Sequence, residues 1–232
     1  NYIKDYIDSV IGPNGEIIGI KHELNTPETA DLAKRSLEML DHRQPIILFY
    51  NLYEETKDEK YMNAIKTIGE SMYFWPVNRH GGYWHMMIQH NQMWLDGLFM
   101  GSPIYAQWQN AFGKDNVEEN TESWDDIAHQ FMTIHKYTYN ADKQLNYHAW
   151  TATPDDENSF WCQKEGQYKG CSQEFWGRGM GWYFAALADV LEVMPKDHKH
   201  YTDVLAIYQQ VAAGLKRWQD AESGAWYQLL QY

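Results

Sequence analysis

Apolar residues recur every three or four positions along most of the chain, which is the spacing of one face of an α-helix. In residues 58–74, for example, Tyr61, Ile65, Ile68 and Met72 fall on one face. The same spacing predicts helices at residues 2–10, 45–55, 94–112, 175–194 and 201–218, and around an apolar stripe between Trp124 and Ile134. Successive helices joined by turns are typical of an antiparallel helical array, so the predicted fold class is all-α.

Turn and cap signals separate these helices. Residues 12–15 read Gly-Pro-Asn-Gly and end the first helix, and residues 25–28 supply a cap and a first-turn proline for a helix that continues to Leu40. Residues 147–150 predict a short strand. Residues 151–172 form a long polar loop, and loops of that length in compact domains are often functional.

The size and ends of the chain bear on its domain organisation. With 232 residues and 44% hydrophobic content, the chain is long enough for one sizeable core, so residues 1–232 are expected to form a single domain. The first helix has no capping residue ahead of it, and the sequence stops soon after a glycine turn at its end. We therefore expect the central part of a larger structure.

Aromatic content and charge narrow the classes of function. The chain has 11 Trp and 17 Tyr, more ring surface than a simple core needs. Either a cleft presents rings on which sugars stack, or the rings fill an irregular core with their polar tips hydrogen-bonded. The net charge of -13 argues against nucleic acid as a partner. It also means that an acidic sugar would need local Arg and His to outweigh the long-range repulsion.

Other composition signals are mostly negative. Cys162 and Cys171 lack a CxxC spacing, so the sequence predicts neither a zinc site nor a redox pair, although a disulfide between them stays possible. Nothing signals a metal or another cofactor. No apolar run approaches the ~18 residues of a membrane span, and no signal peptide is visible, so we expect a soluble protein.

The carboxylates near aromatic and histidine clusters are candidates for catalysis. Asp96 has Met93, Trp94 and Leu95 beside it, and burial among such groups raises a carboxyl pKa and favours a proton donor near neutral pH. Alternatively, Asp96 caps a helix that begins near Gly97. Asp41 is either a second functional carboxylate or an ordinary surface residue at a helix end.

The candidate partners of these carboxylates have two interpretations each. His85 and His148 are either site residues or core histidines. Arg178, between Trp176 and an apolar stretch, is costly to bury without a carboxylate. A uronate would match its guanidinium in a bidentate manner, and an internal ion pair with Glu174 is the alternative.

Several ordered motifs together resemble one known enzyme family. They are GGYWH (81–85), QMWLDGLFMGSPIYA (92–106), YHAW (147–150), EFWGRGMGWY (174–183) and SGAWYQ (223–228), with LFYNLYEETKDEKY (48–61) ahead of them. In this order they resemble glycoside hydrolase family 105, the unsaturated rhamnogalacturonyl hydrolases. The resemblance extends more distantly to the family 88 unsaturated glucuronyl hydrolases.

The resemblance implies an (α/α)6 barrel of six helical hairpins, here incomplete at both ends, with the site at one end of the ring. It implies that Asp96 is the general acid and base and that Asp41 assists it. The positions that match the lining of the family's sugar pocket are His85, Met93, His148, Trp176, Arg178 and Trp182. It implies no metal. This chain departs from the family pattern at Thr151, Met86 and Gln173.

The reaction implied by the resemblance removes a terminal 4,5-unsaturated uronic acid from an oligosaccharide. Asp96 protonates C4, water adds at C5, and the resulting hemiketal opens and releases the rest of the chain. Two alternative interpretations are also enzymes on a similar helical barrel. One is a polysaccharide lyase, for which Tyr147, His85 and His148 offer bases, and the other is an inverting glycosidase. A degenerate carbohydrate-binding protein is the third alternative.

Overall fold

The computed structural model describes residues 2–16 and 39–232. The helix predicted to begin at residues 25–28 lies outside the described residues, apart from its last positions. The α-helices of the described part are α1 (Tyr2–Val10), α2 (Ile47–Thr56), α3 (Glu59–Ser71), α4 (Leu95–Phe112), α5 (Val117–Thr138), α6 (Gly177–Val193) and α7 (Tyr201–Arg217). Each was predicted from the apolar spacing, and the predicted ends of the six that were given ends agree to within three residues.

Four short strands accompany the helices in the described residues: β1 (Gln92–Trp94), β2 (Tyr139–Asn140), β3 (Leu145–Asn146) and β4 (Ala149–Thr151). Strands β2 and β3 form a small hairpin after α5, whereas β1 pairs antiparallel with β4 and sets Trp94 opposite Ala149. The strand predicted at residues 147–150 is therefore present, shifted by one to two residues. The β1–β4 pairing holds the start of α4 against the segment that follows α5.

The helices form consecutive hairpins, α2 with α3, α4 with α5, and α6 with α7. Between the last two hairpins, α4 packs on α6 and α5 packs on α7, and α3 of the first hairpin contacts α4. The N-terminal ends of α4 and α6 lie together, because the backbone N–H of Leu95 donates to His148 O at 2.9 Å and that of His148 donates to Glu174 O at 3.4 Å. Residues of both first turns therefore meet at His148.

The core follows the predicted faces in most helices. Tyr61, Ile65, Ile68 and Met72 are all buried, as the spacing in α3 predicted. Many rings are core residues with bonded polar tips: the Tyr61 hydroxyl donates to Asp8 at 2.6 Å and the Trp75 ring N–H to Trp84 O at 2.7 Å. The core interpretation of the aromatic content therefore holds for these rings.

The two cysteines are free and buried. The Cys171 thiol donates to Tyr137 O at 3.1 Å and the Cys162 thiol to Pro154 O at 3.7 Å, so the disulfide that the sequence left open is not formed. In residues 2–16 and 39–232, no group of three or more His, Cys, Asp or Glu side chains is placed to hold a metal ion. Over the same residues, no helix has the length and hydropathy needed to cross a membrane.

Candidate active site

Asp96 and His148 form a hydrogen-bonded pair at the junction of α4 and α6. His148 Nε2 lies 2.7 Å from Asp96 Oδ2, and the Asp96 side chain is 13% exposed. Asp96 is the second residue of α4, and the N-cap residue of that helix is Trp94, which makes no side-chain capping bond. The alternative in which Asp96 is a helix cap is therefore wrong, and its carboxylate is turned towards His148 instead.

The direction of the Asp96 pKa shift is opposite to the one expected from its apolar neighbours in sequence. Burial does disfavour the charged carboxylate, but the hydrogen bond from His148, the charge of that imidazole and the residue's own backbone N–H outweigh burial and lower the pKa of Asp96 below its ordinary value. The expectation of a raised pKa is thus wrong. It failed because His148 is 52 positions away in sequence.

The backbone of α6 closes one side of this pair. A Cβ added at Gly179 would lie 2.8 Å from Cδ2 of His148 and 3.6 Å from Oδ2 of Asp96. The first of these distances is closer than real Cβ contacts, so only glycine fits here without displacing the imidazole. By contrast, a Cβ added at Gly181, two residues further along α6, would meet no atom of another described segment within 4 Å.

A second carboxylate and histidine lie on the other side of Trp94. His85 is buried and stacks on the Trp94 ring, with centroids 4.6 Å apart and planes 14° apart. His85 Nε2 lies 3.5 Å from Asp41 Oδ2. Burial lowers the pKa of His85, opposed by the negative charges of Asp41 and Asp96. The Asp41 side chain is 36% exposed, so it borders solvent beside the buried imidazole.

Aromatic contacts connect the pair to an exposed cation. The Trp94 and Trp176 rings both meet the His148 imidazole edge to face, with centroids at 5.2 Å and 4.8 Å. The Arg178 guanidinium lies over the Trp176 ring, 4.0 Å from its centroid, and the Arg178 side chain is exposed. The burial cost expected for Arg178 therefore does not arise.

The internal ion pair considered for Arg178 is not formed. In the described part of the chain no carboxylate pairs with this guanidinium, and Glu174 accepts a hydrogen bond from Gln231 instead. Arg178 is the second residue of α6, where the positive end of the helix dipole disfavours a cation. An anion bound beside Arg178 would be the partner that the guanidinium lacks, and it would offset the repulsion from the helix dipole.

Two predicted site residues lie apart from these contacts. Met93 is 1% exposed and packs against Gly82, on the face of β1 opposite Trp94, so its side chain belongs to the core. Trp182 packs on Phe99 of α4 at 4.6 Å between centroids. Thr151, where the chain departs from the family pattern, is buried, and its hydroxyl lies 3.2 Å from Ser159 Oγ.

A cavity of about 470 Å³ opens beside the pair and shares His148 with it. Its lining includes Trp94 and His148, together with Asn158, Phe160 and Trp161 of the long loop. Phe160 is 81% exposed, unusual for so large an apolar side chain. Sequence reasoning flagged the loop by its length but did not single out these residues. The sequence feature that could have identified them is the pair of adjacent aromatic residues, Phe160 and Trp161, in an otherwise polar stretch.

Comparisons with known proteins agree with the motifs. The sequence model for Glycosyl Hydrolase Family 88 matches residues 1–232. A curated relative from Formosa agariphila, named unsaturated 3S-rhamnoglycuronyl hydrolase, is 27% identical over 136 residues, which is 57% of this chain and 32% of that protein. The chain thus spans about a third of the length of this relative.

Solved structures share the fold. A glycoside hydrolase from family 105 of C. acetobutylicum ATCC 824 is 33% identical, with a TM-score of 0.83, and the match covers 99% of this chain and 57% of that one. This likeness confirms the all-α class and the (α/α)6 barrel of the family. A polysaccharide lyase described as BACCELL_00875 has the same fold at 19% identity, a TM-score of 0.64 and coverage of 100% and 57%. The fold alone therefore does not separate hydrolase from lyase.

Proposed function

Because the chain belongs to glycosyl hydrolase family 88, we propose that it contributes the acid/base site of a hydrolase that removes a terminal 4,5-unsaturated uronic acid from an oligosaccharide. The observation that carries this proposal is the 2.7 Å contact between Asp96 and His148 beside the exposed Arg178, which has no carboxylate partner among the described residues. The name of the curated relative, an unsaturated 3S-rhamnoglycuronyl hydrolase, supports the same class of substrate.

The Asp96–His148 pair serves as the proton carrier of the reaction. The lowered pKa of Asp96 leaves its carboxylate ionised at neutral pH. The proton that reaches the substrate is therefore the one in the hydrogen bond between His148 Nε2 and Asp96 Oδ2. Asp96 passes this proton to C4, the double bond becomes a cation at C5 stabilised by the ring oxygen, and the carboxylate is restored.

The restored carboxylate then acts as the base. Asp96 accepts a proton from a water molecule as that water adds to C5, which returns the pair to its starting state. The C5 hydroxyl product is a hemiketal, and its ring opening expels the remaining sugar. No bond to the anomeric carbon is attacked directly, so this route differs from the two-carboxylate hydrolysis of ordinary glycosidases.

Arg178 anchors the uronate carboxylate in this scheme. Its guanidinium is held over Trp176, whose ring contacts His148, so a carboxylate bound to Arg178 lies next to the proton carrier. Such charge-assisted, bidentate contacts fix both position and orientation. His85 and Asp41 border the opposite side of Trp94, where Asp41 supplies a second negative charge.

The ultraviolet absorbance of the conjugated double bond tests the reaction. The full-length protein is mixed with unsaturated uronyl disaccharides, and we expect absorbance to fall. Asp96→Asn should lower the rate about 10²-fold to 10⁴-fold, which is the usual contribution of a positioned acid/base group. Asp115→Asn, at an exposed aspartate away from the site, is the matched control and should leave the rate unchanged.

Each alternative function has its own result in this assay. A lyase creates the double bond, so absorbance would rise with an intact uronate polymer. An inverting glycosidase would release sugar while absorbance stays constant. Binding of the disaccharide without any reaction, equal in the wild type and Asp96→Asn, would indicate a non-catalytic carbohydrate-binding protein.

A further inference from the structure

A second, larger cavity lies beside the 151–172 loop, away from the residues of the candidate active site. Its volume is about 600 Å³, within the roughly 300–1,000 Å³ of typical ligand pockets. Its described lining comes from the turn before Gly81, the end of α5, strand β4 and the loop. It shares no described lining residue with the cavity beside His148, and neither Asp96 nor Arg178 belongs to it. It is therefore a separate candidate site.

Three packed rings form a fixed wall of this cavity. The Tyr137 and Trp150 rings stack with centroids 3.9 Å apart and planes 6° apart. The His80 ring is tilted against both, with centroids at 5.3 Å from Tyr137 and 5.5 Å from Trp150. Trp150 is buried, whereas His80 and Tyr137 are half-buried and line the cavity. The polar groups of these two rings are thus held in place before a ligand binds, which lowers the entropy cost of binding.

Hydrogen bonds fix the proton of His80 and leave that of Tyr137 available. Arg79 Nε donates to His80 Nε2 at 3.1 Å, and Nε2 must be the acceptor because a guanidinium can only donate. The His80 ring then carries its proton on Nδ1, which donates to the Tyr137 hydroxyl oxygen 3.2 Å away. Burial and the charges of Arg79 and Lys136 lower the pKa of His80, in agreement with a neutral ring. The Tyr137 O–H group is therefore left to donate to a ligand.

The charged groups that line the cavity balance one another. Lys169 Nζ lies 3.0 Å from a carboxylate oxygen of Asp155. Arg79 and Asp156, both exposed, are the other charged lining residues, and neither has an ion-pair partner in the part of the chain that the structure describes. Lys136 adds positive charge from outside the lining. Asp156 disfavours an anionic ligand and Arg79 a cationic one, whereas the hydroxyl groups of a neutral sugar accept from a guanidinium and donate to a carboxylate.

We propose that this cavity is a carbohydrate-binding site separate from the site of hydrolysis, and that it binds a neutral sugar unit of a polysaccharide chain. Arg79 and the Tyr137 O–H group donate to hydroxyl oxygens of the sugar, and the Asp156 carboxylate accepts from its hydroxyl groups. Because Arg79 and Asp156 are exposed, the cavity is open to solvent and the polymer continues beyond it. Binding involves no reaction, so this site goes beyond the proposed function and does not depend on it.

Affinity electrophoresis of the full-length protein tests the site without turnover. Native gels contain a neutral polymer (galactan, arabinan or xylan), an acidic one (polygalacturonate) or none, and the polymers are uncleaved, so they lack the unsaturated end group. We expect at least one neutral polymer to slow the protein. Arg79→Gln and Asp156→Asn should each raise the apparent Kd at least about tenfold, because each removes a hydrogen bond to a charged group. Lys114→Gln and Asp115→Asn make the same changes of charge at exposed positions outside the lining and are the matched controls.

Arg178→Gln separates the cavity from the candidate active site. This variant removes the exposed cation of the active site, so it should be slowed as much as the wild type. Retardation that is lost in Arg178→Gln and kept in Arg79→Gln would place the polymer in the active site and overturn the proposal. No retardation by any neutral polymer, or retardation by polygalacturonate alone, would also overturn it. Because the gels require no reaction, a failure of the absorbance assay would not affect a positive result.

Discussion

Replacing Gly179 by alanine tests whether the Asp96–His148 geometry is the source of activity. The added methyl group would lie 2.8 Å from Cδ2 of His148, which is at least 0.6 Å closer than the 3.4 Å at which ordinary contact begins. If the imidazole moves away by that amount, the 2.7 Å bond to Asp96 lengthens towards the limit of a hydrogen bond. The substitution changes neither catalytic side chain, so any loss reports on their positions.

The expected cost follows from how steeply proton transfer depends on geometry. A hydrogen bond to a charged group contributes about 1.5–3 kcal/mol, and a misplacement of about 1 Å can cost about 10²-fold in rate. We therefore expect Gly179→Ala to lower kcat/KM by roughly tenfold to a hundredfold. The pKa of Asp96 should also rise, because the bond from His148 is one of the factors that lower it.

Gly181→Ala is the matched control, because it lies in the same helix and its Cβ would have open space towards the other segments that the structure describes. Both substitutions replace a helical glycine by alanine, and this replacement on its own stabilises the folded state by about 0.5–1 kcal/mol. Rates come from the absorbance assay, and the melting temperature shows that each variant is folded. A folded Gly179→Ala protein with wild-type kcat/KM would refute the argument, since the pair would then tolerate displacement.

Two further predictions concern stability. Burial lowers the pKa of His85 below 6.5, so the unfolded chain binds a proton at this residue more readily than the folded chain does. The free energy of unfolding should therefore decline as the pH falls below about 6.5. Between pH 7 and 5, the free energy of unfolding from urea denaturation should decline less steeply for His85→Gln than for His90→Gln, a change at an exposed histidine. Equal dependence of the two variants on pH would contradict this. Thr151→Val keeps the side-chain volume but removes the hydroxyl that pairs with Ser159, and should cost about 1–3 kcal/mol in urea denaturation. An unchanged midpoint would mean that this pair does not anchor the loop.

Much of the fold could be predicted from local patterns. Helix spacing depends on residues three and four positions apart, so the faces of α3 and the limits of α4 and α6 are written into short stretches of sequence. The ordered motifs likewise identified the family and the candidate residues Asp96, His148 and Arg178. One pattern failed locally: Tyr2 of α1 is 85% exposed although it shares the apolar spacing with the buried Ile7. Which apolar residues are covered depends on the neighbouring elements.

The sequence by itself therefore determined the helices, the fold class and the identity of the main chemical groups. Only the tertiary structure decided how those groups act on one another. Asp96 and His148 are 52 positions apart, and their contact reverses the pKa shift that the apolar neighbours of Asp96 suggest. The cavity exists because β1 pairs with β4 and brings the 151–172 loop against Trp94. Distances between segments far apart in the chain set these electrostatic and packing energies, and no local pattern encodes them.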